Sequence, residues 1–271
     1  MTRLFLACWL VLATVSPAQA QSWPQLPSGL RLDGGGGSVA FSHLQHGSSN
    51  SQNTIALTGV TAGSLIALYV KWEGTGSISA VSDGTSAFSA GTQVSHGNGD
   101  LHGQWWYLLS SVASGDLTYT TTNSGTVTFK RLRIWEFSYA DTASLDAQAA
   151  ASGTSAAPSS GTMTYSGAAN TVVLGGYGEY SGETISSMLT NGDAADLTTG
   201  ETTVAVSWEK VYTSAPSNGA ASATLGSSRV WIVNGIAFKA TAGGATPAFG
   251  LSYGQRSVQR GLARGILRTT K

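Results

Sequence analysis

The chain has 271 residues, 14 Lys and Arg against 14 Asp and Glu, and no formal net charge. Charged residues are only 10% of it, against about 25% in ordinary globular proteins, while hydrophobic residues reach 41% and include eight Trp. These values exclude nucleic-acid binding through a strongly basic surface, a charge-rich disordered chain and a coiled coil.

Residues 1–20 read as a secretory signal peptide. Arg3 carries the early positive charge, Leu4 to Val15 is almost wholly apolar, and Ala18-Gln19-Ala20 supplies the small residues of a cleavage site. The apolar run is shorter than the roughly 20 residues a membrane anchor needs. The expected destination is secretion, the periplasm or the cell envelope. Cys8, the sole cysteine, lies inside this run, so the mature region has neither a thiol nucleophile nor a Cys-based metal site. Residues 21–37 read as a Gly/Pro linker ending in Gly34–Gly37. That Gly run lacks the Lys-Ser/Thr ending of a phosphate loop.

From 38 to 240 short β-prone runs alternate with turn dipeptides. The runs are Thr54–Thr58, Leu65–Trp72, Ser77–Val81, Trp105–Ser110, Asp116–Thr122, Thr126–Tyr139, Thr162–Ser166, Thr171–Tyr177, Val204–Tyr212 and Val230–Phe238. Asp83-Gly84, Asn98-Gly99, Asn191-Gly192 and Asn218-Gly219 punctuate them, and such pairs favour turns with positive φ. No helical period is present. The spacing predicts an all-β domain, an antiparallel jelly-roll-like β-sandwich of about ten strands. A faint echo links Ile55–Gly59 and Ser64–Val70 with Met163–Gly167 and Thr171–Tyr177, suggesting two corresponding halves of that sandwich.

Gly59–Val70, Val81–Gly84, Trp105–Tyr107, Ile134–Tyr139, Leu145-Asp146 and Gly235–Phe238 together resemble the jelly-roll β-sandwich domains of secreted bacterial proteins and phage tail or surface proteins. The resemblance implies an extracellular module for attachment or display. It carries over no catalytic residue.

Strand parity identifies the candidate chemistry. In Thr126–Tyr139, Phe129, Arg131, Arg133, Trp135 and Phe137 share one face; Lys130, Leu132, Ile134, Glu136 and Ser138 share the other. Glu136 among apolar neighbours has a raised pKa unless it is paired or hydrogen-bonded. It is either a general acid or a carboxylate tied to a cation or to turn amides. Glycoside hydrolysis needs a second carboxylate, about 5–5.5 Å away for retention or 6.5–9.5 Å for inversion. Glu179 and Glu209 are the available partners.

Trp105-Trp106-Tyr107 is the stronger binding signal. Adjacent strand residues face opposite ways, so both Trp cannot enter one core. An exposed pair of Trp105 and Tyr107 makes a stacking platform for a sugar, with Asp100, His102 and Gln104 as polar partners. The alternative is that a loop or neighbouring protomer covers that face.

The His43-x-x-His46 spacing suits a metal only on a helix, and this segment reads as strand and loop, so no transition-metal site is expected. Asp83, Asp100, Asp193 and Asp196 lie in loops where a structural calcium ion could bind. Residues 241–271 form a basic tail. Arg256, Arg260, Arg264 and Arg268 recur every fourth residue, one stripe of a helix suited to an anionic envelope surface. Gly261 and Gly265 weaken that helix.

The leading expectation is a non-catalytic binding or attachment module for a polysaccharide or surface glycan. A structural component of a phage tail or cell surface, acting by self-association, comes next. A β-sandwich glycoside hydrolase is third.

Overall fold

The computed structural model describes residues 41–50, 53–97, 100–139, 142–180, 182–201 and 204–241. The segments read above as a signal peptide and a linker, and residues 242–271 of the basic tail with its four spaced Arg, lie outside them. The described residues are all β, with no helix and with antiparallel pairing throughout.

Among the described residues, seventeen strands form where the turn spacing predicts about ten. The first half comprises β1 (Ser42–Asn50), β2 (Thr54–Val60), β3 (Leu65–Glu73), β4 (Ser77–Ser82), β5 (Ser89–Ala90), β6 (Val94–His96), β7 (Leu101–Leu108), β8 (Gly115–Ser124) and β9 (Thr128–Ser138). The second comprises β10 (Thr142–Ser155), β11 (Thr171–Gly178), β12 (Ile185–Thr190), β13 (Asp193–Ala194), β14 (Leu197–Glu201), β15 (Ala205–Tyr212), β16 (Ala221–Leu225) and β17 (Arg229–Thr241).

The two halves repeat one topology. The inner sheet of the first runs β1-β9-β3-β7, with β5 and β6 on the far side of β7; that of the second runs β10-β17-β11-β15-β14. The outer sheets run β2-β8-β4 and β16-β12-β13. In the place of β2 the second half has only single bridges from Ser159 and Met163 to Ser222 and Gly219. Ile66 and Val173 hold equivalent places, opposite Glu136 and Ala237. So do Trp106 and Trp208, opposite Leu68 and Gly175. The echo read in the sequence is therefore a repeated fold, but each half is a sandwich of its own rather than half of one.

Three apolar layers hold the four sheets in series. Ile66, Leu68, Val70, Trp72, Trp106, Leu132 and Ile134 pack on the first outer sheet through Ile55, Leu57, Val81 and Tyr119. Val173, Tyr177, Val206, Trp208 and Val233 pack on the second through Ile185, Ala223 and Leu225. Between them, Leu65, Ala67, Tyr69, Trp105, Trp135 and Phe137 meet Val172, Leu174, Ile236 and Phe238. Each inner sheet is thus covered on both faces. This explains why β3 is buried along nearly its whole length and shows no alternation.

The middle layer carries two matched polar ties. Arg133, fully buried, donates through Nε (3.2 Å) and Nη2 (2.9 Å) to the Ala205 carbonyl. Asn234, at the equivalent place on β17, donates through Nδ2 to the carbonyls of Thr92 (2.9 Å) and Gly103 (3.3 Å). Gly103 is itself the counterpart of Ala205, so each half's last strand reaches the same point on the other. Glycine permits the approach: a Cβ at Gly176 would stand 2.6 Å from the Tyr69 ring, and one at Gly200 would overlap the Arg133 side chain.

Candidate functional site

The expected stacking platform is not an open face. Trp105 is 1% exposed, its Nε1 donates to the Asn234 carbonyl at 3.2 Å, and its ring lies 5.2 Å from Tyr69. Tyr107 is half-buried and meets Phe238 edge-on at 5.2 Å. The parity was right, but the second sandwich of the same chain covers the face. His102 is buried, stacked on Trp72 at 5.0 Å, with Nε2 2.9 Å from the Gly74 carbonyl and Nδ1 2.8 Å from Ser95 Oγ. Gln104 is buried and donates to the Gly91 carbonyl at 2.9 Å. Of the five residues proposed for this platform, Asp100 alone is exposed.

The three candidate carboxylates stand apart. Glu136 accepts from Gln45 Nε2 at 2.5 Å and from the Thr61 amide at 2.8 Å, so it anchors the turn into β3. Glu179 lies past the far end of β11 and Glu209 opposite Leu174 at its middle. Five residues of strand, roughly 16 Å, separate Leu174 from Glu179. None of these placements makes the pair that glycoside hydrolysis requires. Glu209 is buried and its Oε2 has no hydrogen-bond partner. Burial, with repulsion from Asp196, pushes its pKa up to about 7 against the pull of Lys210.

The loop aspartates serve turns and ion pairs. Asp83 accepts from the Thr85 and Ser86 amides, Asp193 accepts from the Tyr212 hydroxyl, and Asp196 pairs with Lys210 at 2.6 Å. Among the described residues, no group of three or more His, Cys, Asp or Glu could hold a metal ion.

A different cluster forms where the two sandwiches meet at one end. It gathers the end of β3, the loop before β7, the segment after β11 and the start of β17. The fully buried side chain of Lys71 pairs with Glu73. Burial lowers the Lys71 pKa, the Glu73 carboxylate opposes that, and Arg131 adds to it. Gly178 makes room for this stem, since a Cβ there would lie 2.6 Å from Lys71 Cγ. Glu179 is buried, accepts from the Glu183 amide, and has its pKa raised by burial. Glu183 in turn holds Ser227 Oγ at 3.1 Å and Arg229 Nε at 3.2 Å.

Tyr180 caps this cluster, 43% exposed. It borders an open cavity of about 280 Å³ lined also by Thr154, Ser228, Arg229 and Val230. Partial burial raises the Tyr180 phenol pKa, and Asp100 and Glu73 of the first sandwich raise it further. The cleft offers a flat aromatic ring, the hydroxyls of Thr154 and Ser228, and the guanidinium of Arg229, partly committed to Glu183. Its volume is just under the usual small-molecule range, the scale of one sugar ring. Sequence reasoning singled out Asp100 as a contact residue and missed Tyr180 and Arg229.

Fold and site together define a tandem β-sandwich with a small aromatic and polar cleft on its second half, lined by Thr154, Tyr180, Ser228, Arg229 and Val230. Comparison with family models, with curated proteins and with solved structures gave no match.

Proposed function

We propose that the chain is a non-catalytic extracellular binding module, exported by its N-terminal segment, whose ligand is a polysaccharide or surface glycan held at the Tyr180 cleft. The carrying observation is the exposed Tyr180 ring beside the hydroxyls of Thr154 and Ser228 and the guanidinium of Arg229. A neutral polyol uses all of these: its apolar ring face stacks and its hydroxyls both donate and accept. On this reading the basic tail, with Arg256, Arg260, Arg264 and Arg268, would add contact with an anionic envelope surface.

The test is retention of the purified chain on a panel of insoluble polysaccharides and arrayed glycans, with reducing sugar measured in the same tubes. Tyr180→Ala should abolish retention while leaving the thermal transition in place. Retention that survives Tyr180→Ala, or no retention at all, sinks this reading. Sugar release would move the hydrolase reading ahead of it.

A second reading, self-association as a structural component, is favoured by β10. This is an edge strand of 14 residues with one charged side chain, Asp146, and long uncharged edges template strand pairing. A defined oligomer by light scattering, lost on placing Lys at Ala150, supports it; a monomer at all concentrations rejects it.

A further inference from the structure

The sequence argument against His43-x-x-His46 as a metal pair assumed regular strand alternation. The fold breaks that alternation. β1 carries a bulge in which His43 and Gln45 stand opposite the consecutive residues Phe137 and Glu136. Leu44 is the extra residue, 43% exposed. The bulge turns Gln45 to the face of Glu136, which it bonds, and brings His43 and His46 together on the opposite face. A bulge re-aims side chains in this way.

We propose that His43 and His46 form a surface site for a borderline divalent transition-metal ion, Cu²⁺ or Zn²⁺. His43 Nε2 and His46 Nδ1 lie 3.1 Å apart. Two metal–imidazole bonds of about 2.0–2.1 Å span about 2.9 Å at a right angle and about 3.3 Å at the tetrahedral angle. The two nitrogens share a hydrogen bond at that separation, with the tautomer setting which one donates; the separation falls between those limits, so an ion that displaced the shared proton would sit within bonding reach of both.

The floor beneath them is rigid. The His46 ring lies 5.0 Å from that of Trp135 and the His43 ring 5.6 Å from it, with Phe137 5.8 Å from His43. Trp135 is fixed in turn by its Nε1 bond to Ser207 Oγ at 2.8 Å, across the junction of the halves. His46 is exposed, so water or a ligand from solution completes the coordination. Imidazole ligands suit both ions, and the Irving–Williams order places Cu²⁺ ahead of Zn²⁺.

The experiment is calorimetric titration of the full chain with ZnCl₂ and CuCl₂, paired with proton NMR of the imidazole resonances during the Zn²⁺ titration. The chain has four His, so the signals are few. The expected result is one ion per chain, shifts confined to two of the four imidazoles, and loss of binding in His46→Ala but not in His96→Ala. His46→Phe, which keeps a ring on Trp135, should fold normally and also fail to bind. No binding at millimolar metal, or undiminished binding in both His46 variants, overturns the assignment.

Discussion

Glu209 illustrates how burial and charge act on one side chain. Its carboxyl is pushed from 4.5 to about 7, so the folded chain favours the protonated form. Stability is highest below pH 4.5, falls as pH rises from about 4.5 to about 7, and is flat above, with respect to this group. Glu209→Gln removes the charge and should raise stability at pH 7.5 by on the order of 2 kcal/mol, read as a higher urea midpoint and a flatter pH profile. An unchanged profile would mean that Glu209 ionises normally in the fold. Phe129 shows a different strain. It is 63% exposed and holds a φ of 45°, a left-handed backbone that costs a non-Gly residue about 1–2 kcal/mol. Phe129→Gly should stabilise the chain by about 0.5–1 kcal/mol after the entropy cost of Gly. Thr128, its neighbour, pairs with Glu73, whose charge acts on the Tyr180 phenol, so glycan retention measured on the same variant tells whether the exposed ring contributes to binding.

At the scale of elements, the strands that sequence reasoning found are those with β-branched and aromatic runs, such as β3, β9, β11, β15 and β17. Those it missed have other compositions. β10 holds five Ala among its 14 residues, a helix-favouring content, yet it lies extended because β17 offers it a partner along its whole length; tertiary pairing overrides local preference. β1 is rich in His, Ser and Gly and contains the bulge, which no period-2 template can anticipate. Gly175, Gly176 and Gly178 look like strand-weakening residues in isolation, but each faces a large side chain of a neighbour: Trp208, Tyr69 and Lys71. Gly176→Ala should therefore destabilise by about 1–3 kcal/mol, measured by chemical unfolding. A neutral outcome would show that the halves can separate slightly without cost.

For the whole molecule, the junction of the two sandwiches decides stability. It buries Trp105, Trp135, Phe137 and Phe238, each worth about 1.5–3 kcal/mol of transfer free energy when fully buried. The halves should unfold in one transition by calorimetry. A fragment spanning residues 38–140 should expose that face and aggregate. Two resolved transitions would refute the dependence. Asn234→Ala leaves the carbonyls of Thr92 and Gly103 without this donor and should cost about 1–3 kcal/mol. Its effect on glycan retention should be small, because Asn234 lies inside the junction while Tyr180 lies at its end.

The all-β class, the antiparallel pairing and the faces of the residues of β7, and of β9 from Arg131 on, were legible from alternation and turn chemistry alone; at Phe129 a left-handed φ and a register shift break the alternation. Those properties depend on neighbours in the chain, and the 3.3 Å rise with its period of two is a local constraint. The repeat was legible as an echo, because equivalent strands need similar apolar patterns. What covers each face was not. Whether Trp105 and Tyr107 form an open platform or lie under a cover was left open, because strand parity says which residues share a face and not what lies over it; only the tertiary structure brings a second sandwich against the first. The Tyr180 cleft and the His43–His46 pair escaped for the same reason. The cleft joins residues up to 76 positions apart, from Thr154 to Val230, and the pair depends on a bulge set by strand pairing, so neither arrangement leaves a periodic trace in the sequence.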